Sequence, residues 1–267
     1  MIPHSDEKRS HELSSVNNDV NNDLAGQEKR TIFRRLLNYF NLHVDKDTFI
    51  VVVASMFFLV LYLHHGKASH FYSYFPNFAN SLSWEKGNLA SYVYSHLTAL
   101  LILGILPFLV AKFWLKMSFE DLGLRFKRCK TELLIVFACL LVMLPVIYIF
   151  SHTPSFSEQY PKLKLIGKSW RYFAFYQAAY LIKWLSWEFF FRGFMLFGLA
   201  KRFGSSAILM TTMPFVIAHL GKPELEVFGA IIAGIILGKL SYNGKSIYPT
   251  VLLHFGVAFM MDFFTVI

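Results

Sequence analysis

Long apolar runs constrain this chain more strongly than any other feature of its sequence. They recur from about residue 49 to the last residue, and several approach the length of a membrane span. A helix of about 20 apolar residues crosses the roughly 30 Å hydrocarbon core of a bilayer. With 55% hydrophobic and 16% charged residues, the chain is too apolar for a soluble domain of its size. The sequence therefore predicts an all-α integral membrane protein.

The apolar runs predict a polytopic bundle of about seven transmembrane helices. Their approximate bounds are 49–63, 90–110, 133–150, 172–200, 207–220, 225–240 and 247–267. The fourth run is the longest, and its 29 residues would reach about 43 Å as a single helix. Because this length exceeds the thickness of the hydrocarbon core, the helix must tilt, protrude or break.

Three regions of different composition follow one another along the chain. Residues 1–30 are rich in Ser, Asn, Asp, Glu and Lys and have no apolar period, which predicts a disordered polar tail. Residues 31–45 place apolar side chains at helical spacing opposite Arg34 and Arg35. This pattern predicts an amphipathic helix, either lying on the membrane surface or packed on the domain. Residues 46–267 form the predicted transmembrane domain.

The positive charge of the chain is explained by membrane topology. The formal net charge is +9, and the Lys and Arg residues lie between the apolar runs. Cations in this distribution hold the orientation of a multi-pass protein, so the predicted partner is the lipid bilayer and no nucleic acid is expected. The basic loop at 112–130, with Lys201, Arg202, Lys239 and Lys245, predicts a cytoplasmic N-terminus. The lysines of the 151–171 loop weaken this count but do not reverse it.

One acid and one base lie four residues apart within the fourth run, as Glu188 and Arg192. Residues at this spacing project from one helix face and can pair. An ionisable side chain at membrane depth raises the free energy of the folded protein unless it is paired or hydrated, so by default it marks a functional site. The alternative is a salt bridge that is purely structural.

Four further polar residues accompany the later apolar runs. His219 ends the fifth run, Glu226 opens the sixth, and His254 and Asp262 lie in the seventh. A Glu and two His in a hydrophobic cavity suit the activation of water, in which the acid removes a proton while the imidazoles bind a metal or stabilise an oxyanion. Peptide hydrolysis is the reaction class that this set favours.

Three motifs in order along the chain resemble one known family. They are Glu188-x3-Arg192-Gly193, Phe215-x3-His219 and His254, preceded by Asp121-Leu122-Gly123-Leu124. With them the chain resembles the CPBP family, which comprises CAAX proteases and bacteriocin-processing enzymes and is also called the Abi family. The resemblance covers about residues 122–262.

The resemblance implies a membrane-embedded endopeptidase with a conical cavity among its helices. Its expected substrate is a peptide or protein, and lipidated peptides and proteins are included in this class. The expected catalytic residues are Glu188, Arg192, His219 and His254, to which Glu226 and Asp262 are added as candidates from their position. The resemblance implies a metalloprotease that uses a divalent ion such as zinc on His219 and His254, or a glutamate-centred mechanism without a tightly bound metal.

The sequence departs from the family pattern at two positions. The family has a Glu-Glu pair before x3-Arg, and Trp187 stands where the first, water-activating Glu would be. Ala258 stands where an Asn-type residue follows the last His by four positions. One residue along a helix is a rotation of about 100°, so Glu188 does not simply replace the missing acid. The alternative function is therefore a catalytically silent scaffold or binding protein on the protease fold.

Overall fold

The computed structural model describes residues 44–125 and 130–267. The predicted tail at 1–30 and all but the last two residues of the predicted amphipathic helix at 31–45 lie outside the described residues. One compact unit extends over Lys46–Ile267. Its described residues form helices joined by turns, with no strand among them. The prediction of an all-helical protein is confirmed.

The helices are numbered here in chain order, and two π-helical segments interrupt longer α-helices. They are α1 (Lys46–His65), α2 (Ser69–Tyr74), α3 (Pro76–Ser81), α4 (Trp84–Ala99), π1 (Leu100–Ile105), α5 (Leu106–Phe113), α6 (Lys130–Ser151), α7 (Pro154–Gln159), α8 (Trp170–Glu188), π2 (Phe189–Leu196), α9 (Phe197–Phe203), α10 (Ala207–Ile217), α11 (Glu224–Gly244) and α12 (Tyr248–Phe264).

Four helical stretches in the described residues are long and apolar enough to cross a membrane. They are α1, α4 to α5 taken together, α6 and α11. They coincide with the first, second, third and sixth predicted spans. The remaining predicted spans correspond to the α8–π2–α9 segment, to α10 with only 11 residues and to α12 with 17 residues. The chain is an integral membrane protein, and the count of seven spans stays a prediction.

The long fourth run is broken by a π-helical segment. The α-helix ends at Glu188, the segment Phe189–Leu196 follows, and α9 completes the run to Phe203. Gly193 lies within π2, where a Cβ atom would be 2.8 Å from the Phe189 ring and 3.1 Å from the Leu122 carbonyl oxygen. The glycine therefore lets the chain around Leu122 approach closely. Such π-bulges occur frequently at functional sites.

The segment around Glu188 lies at the centre of the bundle. All residues from 186 to 199 are buried. Helices α1, α10 and α11 and the segment π1 pack around π2, and α12 packs along α8. By contrast α6 lies at the outside, since side chains such as Leu134 and Val142 are 68% and 65% exposed. The element with the charged pair is therefore the one on which most others are assembled.

Helices α10 and α11 approach closely because α11 has glycines at their contact. A Cβ atom on Gly234 would lie 2.6 Å from Thr212, and one on Gly238 would lie 2.7 Å from Ile208. The glycine face of α11 thus packs against α10, as small-residue faces do in membrane bundles. This contact fixes the position of α10, whose C-terminal end leads directly to His219.

Candidate active site

Glu188 and Arg192 form a buried ion pair at the start of π2. Arg192 Nη1 donates to Glu188 Oε1 at 3.0 Å, and the two side chains are 2% and 0% exposed. The guanidinium also lies over the Phe215 ring, 4.3 Å from its centroid. A buried charge persists only when it is paired, so each of these groups requires the other. The pairing predicted from their spacing is confirmed.

His254 of α12 joins this pair. Its Nδ1 atom lies 2.5 Å from Glu188 Oε1, the oxygen that also accepts from Arg192. Glu188 Oε2 is buried and has no partner in the described part of the chain. One carboxylate oxygen therefore binds two residues from different elements, while the other has unused acceptor capacity.

His219 lies beside His254, just beyond the end of α10. Its Nδ1 atom is 2.7 Å from the Phe215 carbonyl oxygen one turn earlier. The centroids of the two imidazoles are 6.5 Å apart, and their planes differ by 19°. The structure thus brings together four of the six predicted site residues, namely Glu188, Arg192, His219 and His254.

The hydrogen bonds define which nitrogen of each imidazole carries the proton. A carbonyl oxygen and an ionised carboxylate only accept hydrogen bonds. His219 must therefore donate from Nδ1 to Phe215, and His254 must donate from Nδ1 to Glu188. In the neutral rings, this leaves the lone pair on Nε2 in both cases. Both histidines are thus prepared to act as bases through Nε2.

The acid and the histidine differ in their access to solvent. Glu188 is fully buried, whereas the His254 side chain is 11% exposed. The ring of Trp184 covers one side of His254 at 3.9 Å between centroids, and the Phe215 ring lies 5.7 Å away. Water therefore reaches the acid–histidine pair at His254 and not at Glu188.

Trp187 lies among these residues at the position where the family has its first acid. Its ring is 6.4 Å from His219 and 5.9 Å from Tyr62 of α1, centroid to centroid. The indole is 6% exposed, and its Nε1 atom has no partner in the described residues. The tryptophan thus fills space between α1 and the end of α10, next to Glu188 but on another side of the helix.

Glu226 is placed in a separate polar group near the start of α11. It accepts from Lys222 Nζ at 2.5 Å and from the Tyr160 hydroxyl at 2.8 Å. Burial, together with the Glu226 carboxylate, raises the pKa of Tyr160 well above its usual range. Burial and the nearby Lys222 lower the pKa of Lys162 to about 8. In the described residues, Glu226 forms no hydrogen bond to Glu188 or to either histidine.

Asp262 also lies apart from Glu188. It is 1% exposed and accepts from Gln177 Nε2 at 3.0 Å, while its Oδ1 atom has no partner among the described residues. Gln177 belongs to α8, three turns before Glu188, so Asp262 contacts the same helix at another level. The catalytic roles expected for Glu226 and Asp262 stay predictions, with no contact to the four central residues to support them.

Two residues that contribute to the arrangement, Trp184 and Gln177, were not identified from the sequence. Trp184 and Phe215 form the walls around His254, and Gln177 pairs with Asp262. Trp184 precedes Glu188 by four residues, so helical spacing alone places the two on one face. No comparable signal identifies Gln177, because its partner lies on a distant helix. Phe215 belongs to the Phe215-x3-His219 motif, which gives no indication of its contact with His254.

The two histidines do not fit a shared metal ion in their present positions. A zinc ion lies about 2.0–2.1 Å from each ligating nitrogen, which brings two imidazole centroids to roughly 5 Å at a tetrahedral angle. The centroids of His219 and His254 are 6.5 Å apart in nearly parallel rings. Within residues 44–125 and 130–267, no group of three or more His, Cys, Asp or Glu side chains is arranged to hold a metal. The expected metal stays a prediction.

Fold and site define the class as a helical integral membrane protein with a buried Glu–Arg pair and two histidines at its centre. Residues 169–260 match the family model described as Type II CAAX prenyl endopeptidase Rce1-like. This segment contains all three motifs that carry the resemblance, so the match supports the resemblance to the CAAX protease, or CPBP, family over these residues. No curated protein and no solved structure matched the chain.

Proposed function

We propose that this protein is a membrane-embedded endopeptidase of the CAAX type that hydrolyses a peptide bond near the membrane interface. The observation that carries the proposal is the hydrogen bond between Glu188 and His254, 2.5 Å long, with only the histidine open to solvent. A carboxylate that fixes an imidazole in one tautomer is the arrangement by which many hydrolases create a base. The match of residues 169–260 to a prenyl endopeptidase family supports the same reaction.

His254 Nε2 removes a proton from water in this mechanism. The resulting hydroxide oxygen attacks the scissile carbonyl carbon, and the negative charge moves to the carbonyl oxygen. The protonated imidazole is stabilised by the Glu188 carboxylate through the Nδ1 hydrogen bond. His254 then returns the proton to the leaving nitrogen as the C=O bond re-forms and the C–N bond breaks, which yields a carboxylic acid and an amine. The acid then passes its proton to the amine, which gives a carboxylate and an ammonium group. Proton and charge are balanced without any further reactant.

Glu188 is a positioning residue in this account and does not touch the substrate. It is fully buried and acts through His254. Arg192 donates to the same carboxylate oxygen and supplies the positive charge that a buried carboxylate requires. His219 contributes a second Nε2 lone pair next to His254, which can accept from an attacking water or a peptide N–H. A metal on these histidines is not required for any of these steps.

The proposed substrate is a peptide or protein whose cleaved segment lies at the membrane, with a prenylated C-terminal peptide as the first choice. The prenyl group is suggested by the description of the matching family. Purified protein in lipid nanodiscs would be incubated with a prenylated C-terminal peptide and with the same peptide lacking the lipid. Mass spectrometry should show a new C-terminus that depends on His254. The absence of cleavage of every peptide offered by folded wild-type protein would refute the proposal.

A second candidate is a catalytically silent binding protein on this fold. The observation that favours it is the presence of Trp187 where the family has its water-activating acid, next to a Glu188 that is sealed in an ion pair. In that case the pair is structural, and replacing Glu188 and Arg192 together by apolar residues leaves peptide binding intact. Detectable turnover by the wild-type protein rules this candidate out.

A further inference from the structure

Two tryptophan side chains at the site bury indole N–H groups that lack an acceptor. Trp184 and Trp187 are each 6% exposed, and neither Nε1 atom has a partner in the part of the chain that the structure describes. By contrast, Trp84, Trp114 and Trp170 are 65% or 66% exposed. An indole N–H is only a donor, and buried donors in folded proteins almost always have acceptors. The two buried indoles are therefore suited to an acceptor that comes from another molecule.

Both indoles lie beside the groups that would perform the reaction. The Trp184 ring is 3.9 Å from the His254 ring, and the Trp187 ring is 6.4 Å from the His219 ring, measured between centroids. The two indoles are 6.4 Å from each other. Trp184, Trp187 and Glu188 follow one another within about one turn of α8. The two donors are thus close enough together to serve one extended segment of peptide.

The polar atoms of this region complement a peptide backbone. In the described residues, the unpaired donors are the two indole N–H groups, and the acceptors are the Nε2 atoms of His219 and His254. A peptide segment presents carbonyl oxygens for the former and N–H groups for the latter. A purely apolar ligand such as an acyl chain would leave every one of these atoms unsatisfied, which is unfavourable in a buried site.

We infer that Trp184 and Trp187 donate their indole N–H groups to carbonyl oxygens of the substrate peptide. Trp184, next to His254, binds the scissile carbonyl oxygen, and Trp187, next to His219, binds the carbonyl oxygen of a neighbouring residue. The inference rests on the proposed endopeptidase function and adds to it the groups that hold the substrate. It also gives Trp187 a role of its own at the position where an acid is missing.

The two donors have different effects on the reaction. When the hydroxide oxygen bonds to the scissile carbon, the π electrons of the C=O bond move to oxygen, and the hydrogen bond from Trp184 strengthens as that charge forms. An interaction that strengthens in the transition state raises kcat. The carbonyl bound by Trp187 does not change charge during the reaction. Its hydrogen bond is equally strong before and during the chemical step, so it lowers KM.

The test compares tryptophan variants in the full-length protein in nanodiscs. Trp184→Phe should lower kcat about 100-fold with a small change in KM, which is the size of effect found for a single oxyanion donor. Trp187→Phe should raise KM with a smaller change in kcat. Trp114→Phe, at an exposed tryptophan, is the matched control and should behave as wild type. Replacement of Trp184 by β-(3-benzothienyl)alanine, which keeps the ring shape but has no N–H, should reproduce the loss and excludes a packing effect. Normal kcat in that variant would overturn the inference.

A second measurement does not depend on turnover. The protein is labelled with 15N at the tryptophan indoles, and a phosphinate peptide that cannot be cleaved is added until the site is saturated. Binding is measured separately from the fluorescence anisotropy of a labelled copy of this peptide. The Trp184 and Trp187 indole proton resonances should move downfield, and those of Trp114 should remain. Unmoved resonances at Trp184 and Trp187, or no binding of the peptide, contradict the inference. Downfield shifts in a protein without turnover would refute the proposed function while supporting the donor role.

Discussion

His254 Nδ1 and Glu188 Oε1 lie 2.5 Å apart, although the two residues are separated by 66 positions and belong to different helices. The contact makes one unit of two motifs that are weak when considered singly. The two residues have different access to water, since the Glu188 carboxylate is fully buried and the His254 imidazole is partly exposed. The proposed chemistry follows from this difference, because His254 is the residue that can contact water.

Glu188→Gln should damage catalysis while keeping the size of the side chain. The amide loses the charge that stabilises the protonated His254 and no longer selects one tautomer, so kcat should fall roughly 10³-fold or more, as when the orienting acid of a triad is changed to its amide. KM should change little. Glu224→Gln, at an exposed acid on the first turn of α11, is the matched control. Equal rates for the two variants would show that Glu188 has no role in the reaction.

Arg192→Met should destabilise the protein, because it leaves the buried Glu188 carboxylate without its cation. The expected loss is about 3–5 kcal/mol of unfolding free energy, measured by thermal unfolding in detergent. Combining Arg192→Met with Glu188→Leu should restore most of that stability, since an apolar pair of similar volume has no charge to compensate. The double variant should still be inactive. A single variant as stable as wild type would mean that the ion pair makes no contribution to stability.

Gly234→Val should separate α10 from α11, because an added Cβ atom would lie 2.6 Å from Thr212. The predicted loss is about 1–3 kcal/mol, and the displacement of His219 should lower activity as well. Gly229→Val on the same helix is the matched control, since no atom lies within 4 Å of a Cβ atom there. Both are followed by melting temperature and turnover. Equal melting temperatures for the two variants would show that α10 and α11 are not in contact at Gly234.

Lys162 provides a pH test of the loop that carries Tyr160. Its pKa is lowered to about 8 by burial and by Lys222, against the attraction of Glu226 and Asp262. An unfolded lysine has a pKa near 10.4, so between about pH 8 and 10 the unfolded chain binds more protons, and stability rises with pH. Lys162→Met should therefore be more stable than wild type at pH 7, and the difference in melting temperature should shrink towards pH 10. If the difference in melting temperature does not depend on pH, the Lys162 side chain is exposed to solvent and not buried.

The sequence was sufficient for the helical class and for the centre of the site. Spacing alone paired Glu188 with Arg192, and the order of the motifs indicated His219 and His254. Helical periodicity could not foresee that the fourth run is broken immediately after Glu188, since a π-bulge depends on packing around Gly193. It also could not find the partners of Glu226 and Asp262. Tyr160 and Gln177 lie 66 and 85 positions away from them, and only the folded bundle brings these residues together.

The sequence also does not indicate how far Glu188 and His254 are exposed to solvent. The sequence motif favours Glu188 as the base, yet its side chain is fully buried. The role of the base therefore moves to His254, and Glu188 becomes the residue that orients it. Likewise, in the sequence Trp187 indicates only a missing acid, whereas in the described residues its indole N–H has no partner and is available to the substrate that we infer.

The most direct test of the central claim is hydrolysis of a prenylated C-terminal peptide in H2(18)O by wild type, His254→Gln and His152→Gln. His152 is an exposed histidine at the end of α6 and serves as the control. Wild type and the control should release a product with 18O in its new carboxylate, and His254→Gln should lose at least about 10³-fold in rate, because Gln cannot take the proton from water. Equal 18O incorporation by His254→Gln and wild type would contradict the account.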